Sequence, residues 1–424
     1  LSDAYRRAAT RLFDLERFGM KLGLSNTTRL MSLVGDPKPA RRTVLIGGTN
    51  GKGSVSAMLS FIAQAHGWRT GLFTSPHLVT MTERIQVDGQ RISPDEVVAL
   101  SDELWRALEP FRRAGEPEPI TFFELLTVMM ALHFSRQNLD LAVVEVGLGG
   151  RLDATNVLAR DAVVLTDIAI DHSEILGDSL AHIVAEKAAL MRAGCPTIAS
   201  GGLPGVSGLL IEHADQVDSP LFLLDRDFSF AAHGNEIDLS FDGGELRGLP
   251  VALAGPHQWR NAAVAVRAAI ALGLRDEDAI RRGLAATKWP GRLEAFPGSP
   301  AWLLDCAHNP AGAEALAAAL PPHEPTVWLA AMMGDKDSRG VLEALAPRVS
   351  TIVCTSLDMK RALPAALLGE RAAGFGRPVH VEGDTLRAMN LARELAGPSG
   401  RVLATGSIFL VGFVRGQLTG EQGP

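Results

Sequence analysis

The run VLIGGTNGKGS, Val44 to Ser54, decides how this chain is read. Its first half is apolar and β-branched, as in a strand buried on both faces. It then breaks into glycines at 47, 48, 51 and 53 around Lys52, with Ser54 just behind, and a helical pattern follows over 52–66. A helix N-terminus offers unpaired N–H groups and the positive end of the peptide dipole, so a strand–loop–helix junction of this kind suits phosphate oxygens. Glycine lets the backbone come close and the lysine adds a point charge. The strict P-loop string puts Ser or Thr directly after the lysine. Here Gly53 intervenes, and the competing reading is a glycine-rich turn with an exposed lysine.

Outward from that loop the same grammar repeats. Strand patterns at 141–147, 162–168 and 196–200 alternate with helical patterns at 95–109, 121–137 and 179–192. Such alternation predicts an α/β fold with a mostly parallel sheet. Between 221 and 253 the pattern turns to short strands with glycine turns, notably FDGGEL, which predicts a small β insert. Helical patterns resume at 257–272 and 276–286. The stretch KWPGRLEAFPGSPA, 288–301, is rich in proline and glycine and reads as a linker centred on 291–300. Strands then restart at WLLD, TVWLA, TIVCT, PVHVE and RVLATGS, each followed by a helical stretch. The expected layout is one unit over 1–290 and a second α/β unit over 301–424.

Composition narrows the function classes. With 424 residues, 46% hydrophobic and 21% charged, the chain has the balance of a globular protein of two domains. A net charge of -7 argues against a nucleic-acid footprint or affinity for anionic membranes. An anionic ligand must then be met by local charge and backbone N–H groups. Cys195, Cys306 and Cys354 lie far apart without metal-ligand spacing, which suits a reducing compartment. No basic-then-apolar leader opens the sequence, and VLATGSIFLVGFV from Val402 is too short and polar to span a bilayer. The expectation is a cytoplasmic protein.

Several residues ask for chemistry. Glu145, inside AVVEVG, is costly to bury without a partner cation, unless its strand lies at an edge. Ser75 precedes Pro76 at a strand end, where a plain turn is the simpler account. Asp171 and His172 follow the strand at 162–168, the histidine being either structural or a ligand. Lys187 falls on the apolar stripe of its helix, so it must snorkel, pair with an acid or be chemically altered. Asn261 reads as the start of a helix, where capping is the ordinary role. Arg292 lies in the linker, and Asp305 closes the first strand of the second unit. In DCAH, Cys306 and His308 are too close in sequence to act as nucleophile and base. Lys52, Glu145, His172 and Asp305 all fall at strand carboxyl ends, where open parallel sheets bind ligands.

Taken in order, GGTNGKGS, SPHL…ERI, TFFE, VEVGLGGRLDATN, AEKAAL, GRLE, D.AHNP and DKD resemble the folylpolyglutamate synthase/dihydrofolate synthase family, a bifunctional bacterial branch of the Mur ligases. The resemblance implies an N-terminal P-loop ATPase domain and a Rossmann-like C-terminal domain that binds glutamate. It implies an ATP-dependent amide ligase working through an acyl phosphate, with small-molecule substrates and monomeric. Asn50, Gly51, Lys52, Gly53 and Ser54 would bind the phosphates of ATP, and Asn261, Arg292 and Asp305 the rest of the nucleotide. Ser75 and Glu145 would hold a first magnesium ion; His172 and a carbamylated Lys187 would hold a second, with manganese as a substitute. Lys52, Glu145, His172 and Lys187 would be catalytic. The pterin would face Lys21, Leu22, Gly23, the run Thr121, Phe122, Phe123, Glu124, and Leu152, Asp153, Ala154. Ser25-Asn26 stands where many relatives carry Glu-Arg. The alternatives are a Mur-type ligase acting on a cell-wall precursor and a non-catalytic nucleotide-binding regulator.

Overall fold

The structure is a computed structural model that describes residues 2–15, 23–113, 120–171, 173–177, 179–321 and 325–421. Helices α1 (Asp3–Phe13) and α2 (Ser25–Leu33) lead into β1 (Arg42–Gly47) and α3 (Lys52–Ala65). There follow β2 (Thr70–Phe73), β3 (Ile85–Val87), β4 (Gln90–Arg91), α4 (Pro94–Arg113), α5 (Phe122–Ser135), β5 (Leu141–Glu145) and β6 (Ala162–Leu165). Next come α6 (Ser173–Leu176), α7 (Leu180–Ala188), β7 (Thr197–Ala199), α8 (Val206–Val217) and β8 (Leu221–Leu223). Among the described residues these strands make an eight-stranded sheet in the order β4-β3-β2-β5-β1-β6-β7-β8, parallel from β2 to β8.

Both faces of that sheet are covered, and the alternation of side chains shows how. Leu45, Ala142, Val144, Val163 and Leu165 pack to one side with α5 and α7. Val44, Ile46, Leu141, Val143 and Val164 pack to the other, against α3 and α9 (His257–Ala271). A strand with a core on each side must be apolar at every position, which is why these runs read as continuous rather than alternating.

A three-stranded antiparallel meander, β9 (Phe228–His233), β10 (Glu236–Phe241) and β11 (Gly244–Pro250), stands before α9 and α10 (Glu277–Ala286). The expected β insert is therefore shorter than 221–253. Leu221–Leu223 pairs in parallel with β7 and closes the edge of the large sheet. Three residues are too few for their periodicity to separate the two roles.

The second unit comprises β12 (Glu294–Phe296), β13 (Ala301–Leu304), α11 (Pro310–Ala319), β14 (Thr326–Ala330), α12 (Ser338–Leu345), β15 (Thr351–Cys354), α13 (Ala365–Ala372), β16 (Val379–Val381), α14 (Thr385–Ala396), β17 (Arg401–Thr405) and α15 (Ile408–Thr419). Its sheet runs β12-β13-β17-β14-β15-β16, parallel except for β12 against β13. Trp328 and Leu403 face α11–α13, whereas Leu329 and Val402 face α14 and α15. The stretch read as a linker thus contains a strand, with Glu294 opposite Leu304. Its glycines and prolines hid a pairing that only the neighbouring strand reveals.

The two units touch closely along the loop that follows Ser75. Glu83 gathers three successive amides there, accepting from Leu78 N, Val79 N and Thr80 N at 2.8, 2.9 and 2.9 Å. The loop so fixed meets α15 at Gly412, where an added Cβ would overlap the Leu78 carbonyl oxygen. Beside it Arg415 pairs with Glu294 at 3.2 Å and with Glu421 at 2.6 Å, and Glu421 also pairs with Arg91 of the first unit. Gly412→Ala is expected to cost about 1–3 kcal/mol through overpacking, read as a lower denaturant midpoint. Gly374→Ala, whose Cβ would meet nothing within 4 Å, is expected to leave the midpoint unchanged.

Candidate active site

The loop between β1 and α3 forms as its sequence requires. Gly51, at φ 91°, caps α3 in the left-handed region, and a Cβ there would come within 2.5 Å of Asn261 Oδ1. Asn50 N and Thr49 N both donate to Asp167 O, tying the loop to the chain that leaves β6. Lys52 Nζ folds back to donate to Gly48 O at 3.2 Å and Thr49 O at 3.0 Å. Gly53 lies against the indole of Trp289, its Cβ position 2.7 Å from Nε1. The loop and the start of α3 open into a cleft of about 800 Å³, within the range of small-molecule sites.

Glu145 ends β5, a central strand between β2 and β1, so the edge-strand reading of this residue is excluded. It is 5% exposed, and its Oε2 accepts from Ser75 N at 3.1 Å. Burial pushes its pKa up, and Lys52, the Ser75 amide and Arg292 pull it back. Burial likewise pushes the Lys52 ammonium down, opposed by Glu145 and Asp171. Lys187 does not snorkel: it is 4% exposed and Nζ donates to Gly48 O at 2.9 Å. Burial first, then the charge on Lys52, lowers its pKa to about 7.

The far wall brings in the second unit. Arg292 and Asp305 both line the cleft. Burial opposes the Arg292 charge, but Cys306, Asp305 and Glu145 around it raise its pKa. Asp305 accepts from Leu293 N and Ala307 N, both at 2.9 Å. Asn261 is not a cap: α9 begins at His257, and Asn261 sits a turn inside it, donating to Gln258 Oε1 at 2.9 Å. Burial lifts the Cys306 thiol to about 12, which disfavours the thiolate that a cysteine nucleophile needs.

Among the described residues, Asn50, Gly51, Lys52, Gly53, Ser54, Ser75, Glu145, Lys187, Asn261, Arg292 and Asp305 therefore share one cleft. Gly23, Thr121–Glu124 and Leu152–Ala154 stand outside its lining. Thr121 and Glu124 are spent on a capping box for α5, with Thr121 N donating to Glu124 Oε2 at 2.7 Å. Phe122 lies under the Arg84 guanidinium and beside Phe13. Phe123 abuts Gly147, and Asp153 accepts from Leu148 N and Thr155 N, so both shape the turn after Glu145. Lys21, Leu22 and His172 lie outside the described residues.

Some cleft residues carried no legible signal. Gln258 reaches Ser54 Oγ at 3.4 Å and is fully buried, yet it reads as an ordinary helical residue. Trp289 announces itself only by composition.

Among the described residues no three His, Cys, Asp or Glu side chains form a ready-made metal cage. One buried carboxylate, Glu145, and the Ser75 hydroxyl beside a phosphate loop instead suit magnesium, which keeps several waters and arrives with substrate phosphates. As an amine already bonded to Gly48 O, Lys187 does not fit a cation; as a carbamate it would present oxygens.

Known proteins share this sequence pattern and this fold. A family model described as Mur ligase, glutamate ligase domain, matches residues 291–408. The chain is 39% identical over 383 residues to the dihydrofolate synthase/folylpolyglutamate synthase of Mycobacterium tuberculosis, covering 82% of this chain and 78% of that protein. It is 33% identical to a probable bifunctional folylpolyglutamate synthase/dihydropteroate synthase of Haloferax volcanii, over 97% of this chain but only 50% of that longer protein. The fold matches an Escherichia coli structure in complex with DHPP and ADP, with a TM-score of 0.89, 32% identity and coverage of 97% of this chain and 98% of that one. It also matches a bifunctional folylpolyglutamate synthase/dihydrofolate synthase with Mn, AMPPNP and L-glutamate bound, at a TM-score of 0.87, 31% identity and coverage of 97% and 98%.

Gly51→Ala tests the loop directly. The substitution meets both the left-handed φ and the Asn261 side chain, so triphosphate binding measured by calorimetry should fall at least about tenfold, the equivalent of roughly 1.4 kcal/mol. Gly273→Ala, at φ 90° with open space around an added Cβ and outside the cleft, should leave that affinity unchanged while carrying a similar backbone cost.

Proposed function

This chain belongs to the dihydrofolate synthase/folylpolyglutamate synthase family, and we propose that it is an ATP-dependent ligase that adds L-glutamate to dihydropteroate and to folyl(poly)glutamates. One observation carries the reading: a glycine-rich loop, a buried carboxylate and a buried lysine of the first unit face Arg292 of the joining segment and Asp305 of the second unit across a single cleft.

In this reading a carboxylate oxygen of the pteroate-type acid attacks the γ-phosphorus of ATP. The bond to the ADP oxygen breaks, and an acyl phosphate forms. The glutamate amine then attacks the acyl carbon, phosphate departs, and the nitrogen gives up its extra proton to leave the amide. Lys52 and the amides at the start of α3 receive the phosphates, where positioning and charge supply most of the catalysis. Divalent ions held by Ser75 and Glu145, and by His172 and carbamylated Lys187, would neutralise the charge on the transferred group. Arg292, Asp305 and Asn261 would hold the nucleoside, and closure of the second unit would keep water from the acyl phosphate. The pterin is assigned to Lys21–Gly23, Thr121–Glu124 and Leu152–Ala154. The nucleotide unit proposed over 1–290 and the glutamate unit proposed over 301–424 would be joined through a stretch that already contributes β12 to the second sheet.

We further propose a cytoplasmic monomer. No helix among the described residues is long and apolar enough to cross a membrane, and Cys195, Cys306 and Cys354 are all free and buried.

Phosphate release measured with dihydropteroate or with tetrahydrofolate, each with and without L-glutamate, tests the assignment. Turnover is expected only when acid, amine and ATP are all present. Equal ADP formation without either substrate sinks it, and turnover with a nucleotide-sugar peptide alone would move the chain to the cell-wall branch.

The lysine makes its own prediction. Only a neutral amine adds to the carbon of carbon dioxide, forming the N–C bond as the nitrogen loses a proton. With Lys187 at about 7, most of it is protonated below that pH and neutral above. A carbamate carbon signal from 13C-bicarbonate should therefore be strong at pH 8, fade through about pH 7, and be absent in Lys187→Ala. That variant should lose roughly 100-fold or more in turnover, the scale of a removed charge-stabilising group.

A further inference from the structure

A dense cluster of side-chain bonds joins the two units through Asn309 and Asp171, neither of which is among the nucleotide or metal positions discussed above, and it reaches one that is, Asn50. Asn309, at the N-terminus of α11, spends every donor and acceptor of its carboxamide. Its Oδ1 accepts from Gly312 N at 2.8 Å, capping the helix, and from Asn50 Nδ2 at 3.4 Å. Its Nδ2 donates to Asn50 Oδ1 at 3.1 Å and to Asp171 Oδ2 at 3.0 Å. The other oxygen of Asp171, Oδ1, accepts from Lys336 Nζ at 2.6 Å, and His308 Nε2 lies 3.8 Å from Oδ2. Asn309 is 3% exposed, and the side chains of Lys336 and Asp171 are 9% and 11% exposed.

These bonds link the phosphate loop to the glutamate unit by side chains alone. Asn50 belongs to the loop; Asp171 lies just beyond the segment whose Asp167 carbonyl holds that loop. Polar groups buried this deeply are costly unless paired, so the arrangement persists only while the second unit is seated. An exposed ion pair would be too weak for this role, whereas a desolvated one linked by hydrogen bonds is not.

We infer that Asn309 and Asp171 are positioning residues that set Asn50, and with it the phosphate loop, only when the two units are docked. The inference rests on the ligase reading for its purpose but not for its measurement. Docking of the glutamate unit and seating of the triphosphate are then one event, and each raises the affinity for the other.

Asn309→Asp separates this role from helix capping, because aspartate still accepts from Gly312 N but offers no amide to Asn50 or Asp171. The double variant Asn309→Asp with Asp171→Asn exchanges donor and acceptor across the contact and keeps one carboxylate in the cluster. Calorimetry with AMPPNP and magnesium on the full chain reads the result without requiring turnover. Asn309→Asp and Asp171→Asn should each weaken binding about tenfold, the loss of roughly one or two buried hydrogen bonds, and the double variant should recover most of it. Small-angle scattering should show a larger radius of gyration for the singles than for the double. Wild-type affinity in both singles overturns the inference, and so does a double variant no better than either one. If Asn309→Asp fails to fold, Asp171→Asn decides alone: weakened binding supports the inference and unchanged binding overturns it. Should the ligase assay fail while these affinities move as stated, the positioning role stands and the substrate assignment falls.

Discussion

Parallel register governs where everything in this protein can be. Ile46 lies opposite Glu145, and Gly47 lies opposite Leu165. Three neighbouring strands thus end at one level and point the same way, as parallel strands joined by crossovers must. The chain leaving β1 becomes the glycine-rich loop around Lys52, the residue ending β5 is a buried acid, and the chain leaving β6 carries Asp167 and Asp171. None of these groups is near another in sequence; the sheet alone makes them neighbours. A slip of one residue in β5 would turn Glu145 to the other face.

Charge is the second constraint. The chain carries a net -7, yet Lys52, Lys187 and Arg292 crowd around one cleft with Glu145, Asp171 and Asp305 as acids among them. Burial disfavours each of these charges. The lysines are held by backbone carbonyls rather than by acids, Lys187 on Gly48 O and Lys52 on Gly48 O and Thr49 O. Those carbonyls leave Lys52 free to be repartnered by an anion, which a full carboxylate pair would resist.

Much of this was legible in the chain itself. Strands buried on two faces announce themselves as apolar runs, so β1, β5 and β6 were readable, as were the loop at 47–54 and the misplaced Lys187. Asn261 was misread as a cap although the helical pattern over 257–272 already starts α9 a turn earlier, at His257. Strands β8 and β12 are three residues each and exist only through their partners. The Asp171–Lys336 pair joins residues 165 apart, a separation at which sequence spacing carries no information. Thr121 and Glu124 illustrate the converse: a Thr-x-x-Glu string is a capping box wherever it precedes an apolar helix, so the motif alone does not distinguish a structural duty from a ligand contact.

The strand hidden in the supposed linker changes the mechanics of the molecule. Helix α10 ends at Ala286 and β12 begins at Glu294, so the slack between two stiff bodies is confined to residues 287–293. Within it Gly291 and Leu293 take φ of 71° and 46°, and the Leu293 amide is bolted to Asp305. A joint that short behaves as a pivot rather than a tether. Any rotation of the second unit about these few torsions would carry its far edge through a longer arc than its near edge at Asp305.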